Sequence, residues 1–279
     1  MTTYLLSDQP TERERLRLQS LVWEDTGRAL LAGLPRPRPR RAVDLGCGCL
    51  GWLRVLSEQV GPDGEVVGTD IDPHLLDLAR EFVDAEGLTN VTLVEDDIFA
   101  SALEPASFDL VHARFQVAPL GRAGHIVSTM RSLVAPGGRV VLEDPDSISW
   151  RFNPPAPATE SLARLVVNAF RRSGGDFDAG RTNPDRLRAA GLEVAVRTEV
   201  LALEPGHPYL RLPLQFSEAL ADRIGSIVDP TELARLRAAA AAELADGERW
   251  GTTFTLVQAV GTAPTAAHPA PATATTTGG

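Results

Sequence analysis

Val43-Asp44-Leu45-Gly46-Cys47-Gly48-Cys49-Leu50-Gly51 runs from a short apolar stretch through three glycines into a segment with helical character. Glycines so spaced between a strand and a helix let the backbone turn tightly, and let a ligand approach the main chain without meeting a Cβ. By spacing alone, Gly46-x-Gly48-x-x-Gly51 also satisfies the dinucleotide fingerprint, and Asp70, at the end of the next apolar run, suits a ribose hydroxyl pair in either case. Outward from this loop, short apolar runs alternate with helical stretches. The pattern predicts strands near 41–45, 65–70, 91–95, 108–113 and 138–144, with helices near 50–60, 73–87 and 121–135. Such βαβ alternation is the signature of an α/β fold with a mostly parallel, doubly wound sheet. The helix at 73 is punctuated by Asp72 as N-cap, Pro73 at its first position and Gly87 just past its end.

The flanking segments read differently. Leu16, Leu18, Leu21, Val22, Leu30 and Leu31 lie among charges and suit two short amphipathic helices within 1–40, a lid ended by the stiff connector PRPRPR at 35–40. After Asp144 the rhythm breaks. A helix near 159–172, the glycine loop 173–180 and a short helix precede a strand-like run at 192–203. Helices near 209–225 and 231–246 follow, then a last strand near 252–261. The expected organisation is a core at 41–144, cap insertions at 145–191 and 204–250, closing strands at 192–203 and 251–261, and a disordered tail at 262–279.

Composition excludes several classes. Twenty-seven basic against thirty-seven acidic residues leave a net charge of −10, every basic residue is Arg, and the pI is near 5.0, so the overall footprint of a nucleic-acid binder is missing. No apolar run approaches the ~18 residues of a membrane span, and the first residues show no basic-then-apolar leader. A cytoplasmic protein acting on a small molecule, without nucleic acid or membrane partners, is expected; a homodimer is left open. Cys47 and Cys49 build no disulfide framework and have no neighbouring Cys/His pair to bind metal.

Two acidic positions separate the cofactors that the glycine loop allows. Asp44 sets a carboxylate just ahead of the first glycine, badly placed beside a pyrophosphate but able to accept hydrogen bonds from a cationic, amine-bearing ligand. Asp97 follows the third strand, where a carboxylate can accept from an adenine amino group; Asp96 and Glu95 beside it allow a register one residue away. With the helix stop and turn Leu133-Val134-Ala135-Pro136-Gly137-Gly138, the segments VDLGCGCLG, VVGTDIDPHLLDLAR, VEDDIFA, FDLVHARF and LVAPGGRVVLED together resemble the class I S-adenosylmethionine-dependent methyltransferases. The resemblance covers about 41–144, and 192–203 with 252–261 look like the antiparallel hairpin closing that fold. It implies a Rossmann-like, seven-stranded sheet with an antiparallel last strand.

The resemblance also implies roles. Gly46, Cys47 and Gly48 would line the methionine part of S-adenosylmethionine, Asp70 the ribose, Ile71 an adenine face, and Asp97 with Ile98 the adenine edge. Arg114, through its backbone, would meet the methionine amine, while Phe115 and Gln116 look toward the transferred methyl. The N-terminal run is similar to the lid of the ubiquinone- and menaquinone-methyltransferase-like branch and its secondary-metabolite relatives, by which Tyr4 and Gln19 would reach the cofactor carboxylate.

Methyl transfer from a sulfonium is an in-line displacement that needs a nucleophile about 3 Å from the methyl carbon. A hydroxyl acceptor usually also needs a base. His112, Glu143, Asp144 and His207 are the candidates, with Glu143 or Asp144 preferred for a substrate-facing role at the strand ends. Trp150, Phe152, Phe216 and Gln116 are the expected substrate contacts. Cys47 reads as a small loop residue rather than a reactive thiol, and Asn153-Pro154-Pro155 as a proline turn. Two other readings stay open: a nicotinamide-dependent oxidoreductase, and a protein of this fold that keeps the cofactor without transferring its methyl.

Overall fold

The computed structural model describes residues 10–265. Two helices, α1 (Pro10–Val22) and α2 (Glu24–Ala32), precede the sheet. The core then alternates β1 (Arg41–Leu45), α3 (Leu53–Val60), β2 (Glu65–Asp70), α4 (Pro73–Ala85), β3 (Val91–Glu95), β4 (Phe108–Arg114), α5 (Val117–Leu120), α6 (Ala123–Leu133) and β5 (Val134–Asp146). After it come β6 (Arg151–Asn153), α7 (Pro157–Arg172), α8 (Asn183–Ala189), β7 (Glu193–Glu199), β8 (Ala202–Leu203), α9 (Leu212–Ala219), α10 (Ala221–Gly225), α11 (Pro230–Glu243), β9 (Trp250–Thr252) and β10 (Thr255–Thr262).

Seven strands form one sheet in the order β3-β2-β1-β4-β5-β10-β7. β1 to β5 pair in parallel, and β10 runs antiparallel to both β5 and β7. The Rossmann-like sheet with an antiparallel last strand is therefore as expected. Val43, Leu45, Val67, Val111 and Val140 bury one face against α6 and its neighbours, while Ala42, Val66, Leu110 and Val141 bury the other against α3 and α4. Both faces are covered, which is why these strands read as apolar runs rather than alternations. Asp72 caps α4 by accepting from the His74 N–H at 2.9 Å. Chain order reverses between β1 and β4, the place where an open α/β sheet leaves a crevice at its strand ends.

The cap has a core of its own, in which Trp23, Trp150, Phe152, Phe170, Phe177, Tyr209, Phe216 and Phe254 are buried together. Here the structure departs from several expected boundaries. β5 continues to Asp146, because its pairing with β10 extends to Asp146 opposite Thr255. The run 192–203 is not one strand: β7 joins the main sheet, whereas β8 turns away to form a separate sheet in the order β6-β9-β8. The helix at 209–225 breaks into a single turn (Pro208–Arg211), α9 and α10. The tail does not begin at 262, since Thr262 is still in β10 and Ala263, 2% exposed, donates its N–H to Gly138. Among the described residues no helix is long and apolar enough to cross a membrane.

Candidate functional site

The turn after β1 works through contacts with two side chains. A Cβ on Gly51 would stand 2.2 Å from the Asp44 carboxylate, and one on Gly46 would stand 2.4 Å from the Gln116 amide. The bare backbone at these two positions thus admits the protein's own groups. Gln116 Nε2 donates to the Gly46 carbonyl at 3.0 Å, and the Trp52 N–H at the start of α3 donates to Asp44 Oδ2 at 2.7 Å. The Gly48 N–H donates to Asp70 Oδ2 at 2.9 Å, tying the turn to the end of β2.

Behind the turn lies a buried chain of charges that the sequence did not reveal. Asp44 Oδ1 sits 2.7 Å from His112 Nδ1, His112 Nε2 lies 3.0 Å from Glu143 Oε2, and Gln258 Nε2 donates to Glu143 Oε1 at 2.6 Å. The four residues stand on β1, β4, β5 and β10. Both ring nitrogens face carboxyl oxygens, an arrangement that favours a proton on each and hence the imidazolium. Burial works against that charge, but Asp44 and Glu143 outweigh it and hold the His112 pKa above its ordinary value. The signal that could have found this trio was the sheet order, which brings β1, β4 and β5 side by side.

A cavity opens over the turn, at the ends of β1 to β4. Asp44, Gly46, Cys47, Gly48, Asp70, Ile71, Asp97, Ile98, Arg114, Phe115 and Gln116 all line it, with Gln19 from α1 above. Among the cofactor residues named from the resemblance, only Tyr4 is not placed there; it lies outside the described residues. Burial, against the N–H groups of Asp72 and Gly48, pushes the Asp70 pKa up. Burial and then Asp44 and Asp70 raise that of the Cys47 thiol, which keeps it protonated and unreactive.

Two atoms in this lining are buried without a protein partner: Asp96 Oδ2 and Arg114 Nη1. Asp96 was weighed only as a shifted register for Asp97. In the structure both carboxylates line the cavity, and Asp97 Oδ1 is engaged by the Phe99 N–H at 2.8 Å. Arg114 lines the cavity, and its Nη2 donates to the Gly51 carbonyl at 3.4 Å. Burial lowers its pKa against the pull of Glu143 and Asp44, yet a guanidinium stays charged. Phe115, next to it, takes φ +56°, a strained value for an aromatic residue, held by its N–H on the Glu143 carbonyl at 2.8 Å.

The candidate bases are not brought to the cleft as free groups. His112 touches the cavity, but both its nitrogens are occupied and Trp52 stacks on its face. Glu143 is sealed within the sheet. Asp144, also fully buried, accepts from the Ala118 N–H at 3.0 Å and from Asn183 Nδ2 at 2.8 Å, and burial pushes its pKa up to about 7. Neither offers a free carboxylate to the cleft: Glu143 is bonded to His112 and Gln258, and neither residue lines either cavity. His207 caps a turn by accepting from the Tyr209 N–H and lines neither this cavity nor the one beside it. Of the expected substrate contacts, Gln116 lines the first cavity and Phe216 its neighbour, whereas Trp150 and Phe152 are packed in the cap core.

Residues 40–172 match the family model described as a methyltransferase domain. A demethylmenaquinone methyltransferase of Bacillus cytotoxicus is 34% identical over 101 residues, which are 36% of this chain and 43% of that protein. The chain thus spans less than half the length of the curated relatives it matches. Among solved structures, a SAM dependent methyltransferase from Aquifex aeolicus superposes with a TM-score of 0.52 at 19% identity, covering 68% of this chain and 91% of that one. The [4+2]-cyclase SpnF superposes with a TM-score of 0.52 at 18% identity, covering 86% and 82%. The fold is the one these solved structures share, and residues 40–172 resemble a methyltransferase domain.

Proposed function

We propose that this methyltransferase domain binds S-adenosylmethionine in the cavity over the β1 turn and methylates a small molecule admitted beneath the cap and the N-terminal helices. The observation that carries the reading is the pair of unpartnered buried atoms. Asp96 follows β3 and Arg114 ends β4, three interstrand steps apart in the sheet, or about 14 Å. An elongated ligand with an amino donor at one end and a carboxylate at the other satisfies both. Adenine and methionine carry those groups in that order, and the Asp70 carboxylate stands between them, on β2, for the ribose hydroxyls. A dinucleotide would set its pyrophosphate against the Asp44 carboxylate in the same lining, which favours the adenosyl ligand over the nicotinamide reading.

When bound, the cofactor supplies an electrophilic methyl carbon on a positively charged sulfur. The chain's own residues then bind and orient. Asp70 is held by two backbone N–H groups, from Gly48 and Asp72, so its carboxylate is fixed before any ligand arrives. Asp44 is fixed likewise by Trp52 and His112, so it acts on a cation in the cavity as a placed charge rather than as a flexible acceptor. Phe115 lines both this cavity and the neighbouring one. Calorimetry with S-adenosylhomocysteine tests the site, and transfer of labelled methyl to a metabolite extract tests the reaction; micromolar binding of NAD with none of S-adenosylhomocysteine overturns the reading.

A second reading keeps the cofactor bound without consuming it. It is favoured by one observation: among the described residues, every histidine and carboxylate lining the two cavities already holds a hydrogen bond within the protein. Incubation with the true substrate separates the two readings, through the presence or absence of S-adenosylhomocysteine in the product mixture.

A further inference from the structure

We propose that a third cavity, between the chain that follows β5 and helix α7, binds a small organic oxyanion: a carboxylate or phosphate group joined to a short apolar body. The cavity measures about 480 Å³, within the roughly 300–1,000 Å³ of small-molecule pockets. It shares no lining residue with either cavity described above, so it stands apart from the cofactor reading.

Helix α7 has two working faces. Leu162, Val166, Ala169 and Phe170 are buried in the cap core. Glu160, Ala163, Arg164, Val167, Asn168 and Arg171 recur at the three- and four-residue spacing of another face, and that face lines the cavity. Ile148, Trp150 and Arg151 complete the lining from the chain after β5. Ile148 is 62% exposed, so an apolar occupant that covers it gains burial that the fold alone leaves unmade.

The charge of the lining sets the other end of the ligand. Across the chain acidic residues outnumber basic ones, thirty-seven to twenty-seven, yet here three arginines face a single acid, Glu160, and leave +2. Arg151 donates to the Trp150 carbonyl and Arg164 to Ser161 Oγ, both neutral groups, and neither arginine is in an ion pair among the described residues. Arg171 lies 3.6 Å from Asp178 and belongs to the last turn of α7, where the helix dipole by itself favours a cation. Arg164, in the middle of the helix, and Arg151, on β6, have no such reason to be there. Each guanidinium presents a planar fork of donors that fits the paired oxygens of a carboxylate or phosphate, and a neutral or cationic ligand would leave those donors unused.

Phenyl phosphate, benzoate and benzyl alcohol are the probes, titrated by calorimetry into the full chain at low salt. Phenyl phosphate is expected to bind saturably, and benzyl alcohol, which keeps the ring without the charge, is not. Salt at about 0.5 M weakens phenyl phosphate several-fold. Arg151→Gln and Arg164→Gln each weaken it several-fold, Arg164→Lys retains part of the affinity, and Ile148→Ser weakens phenyl phosphate while leaving inorganic phosphate as it was. Circular dichroism confirms that each variant folds. Binding also changes tryptophan fluorescence, and Trp150→Phe removes that change. Phenyl phosphate tighter than benzoate assigns the site to phosphate esters, the reverse order assigns it to carboxylic acids, and either order supports an oxyanion site. The proposal is overturned if phenyl phosphate and benzoate both fail to bind, if benzyl alcohol binds as tightly as they do, or if both glutamine variants keep wild-type affinity. Displacement of phenyl phosphate by S-adenosylhomocysteine overturns it too, because the probe then sits in the cofactor cavity.

Discussion

The Trp52 ring lies 3.8 Å from the His112 ring with the planes 10° apart, while the Trp52 backbone N–H holds the Asp44 oxygen that His112 does not. One residue therefore closes the imidazolium from above and clamps its counter-ion from the side. The first turn of α3, the glycine loop and the middle of the sheet are fixed as a unit beneath the cavity.

Removing the cation from this unit leaves Asp44 and Glu143 buried with no positive charge between them. His112→Gln is expected to cost about 3 kcal/mol of stability near neutral pH, the range for breaking a buried pair. The folded pKa of His112 is raised, so its contribution is complete below the ordinary 6.5 and is lost as pH rises through the higher folded value. Urea unfolding at about pH 6 and about pH 9 checks both statements: the gap between wild type and variant narrows toward the alkaline end. A gap independent of pH removes the imidazolium from the account.

Asp70→Ala deletes the proposed ribose acceptor and the two N–H contacts that hold it. Affinity for S-adenosylhomocysteine is expected to fall roughly thirty- to a hundredfold, about 2–3 kcal/mol, with the fold retained. Titration calorimetry reads it, and unchanged affinity places the ribose elsewhere.

Arg114 is expected to distinguish two ligands. Arg114→Gln weakens S-adenosylhomocysteine by about tenfold or more, the worth of a charge-assisted hydrogen bond, and leaves 5′-methylthioadenosine, which lacks the amino-acid end, nearly unaffected. Equal losses for both ligands mean that the guanidinium shapes the cavity instead of meeting a carboxylate.

Asp144 gives a pH dependence of the opposite origin. Burial raises its pKa from 3.8 to about 7, so the folded state prefers the neutral acid. The stability it supports is complete below the unfolded value and is lost as pH climbs from about 4 through about 7, at up to about 1.4 kcal/mol per unit of separation. Asp144→Asn, which cannot ionise, flattens that decline in urea unfolding measured across the same range. A decline equally steep in the variant assigns it to other groups.

The sheet was legible because each strand from β1 to β4 carries its own apolar run and its own stop, from Asp44-Leu45-Gly46 to the Gly137-Gly138 turn ahead of β5's central run. Asp70, Asp97 and the glycines were legible because a strand end and the loop after it are local features. The His112 cluster was not, since its members lie far apart in the chain and only strand pairing brings them together. Glu143 and Asp144 were misread for a related reason: the strand was ended at 144, whereas pairing with β10 carries it to Asp146 and closes both carboxylates in. The small sheet of β6, β8 and β9 has strands of two or three residues, too short to leave a period.

Gln19 and Phe115 line both cavities, so an occupant of either one touches side chains that the other also presents. That shared wall is a means of coupling. A ligand that shifts these two side chains in one cavity alters the affinity of the other, and linkage requires the reverse effect to be equal in size.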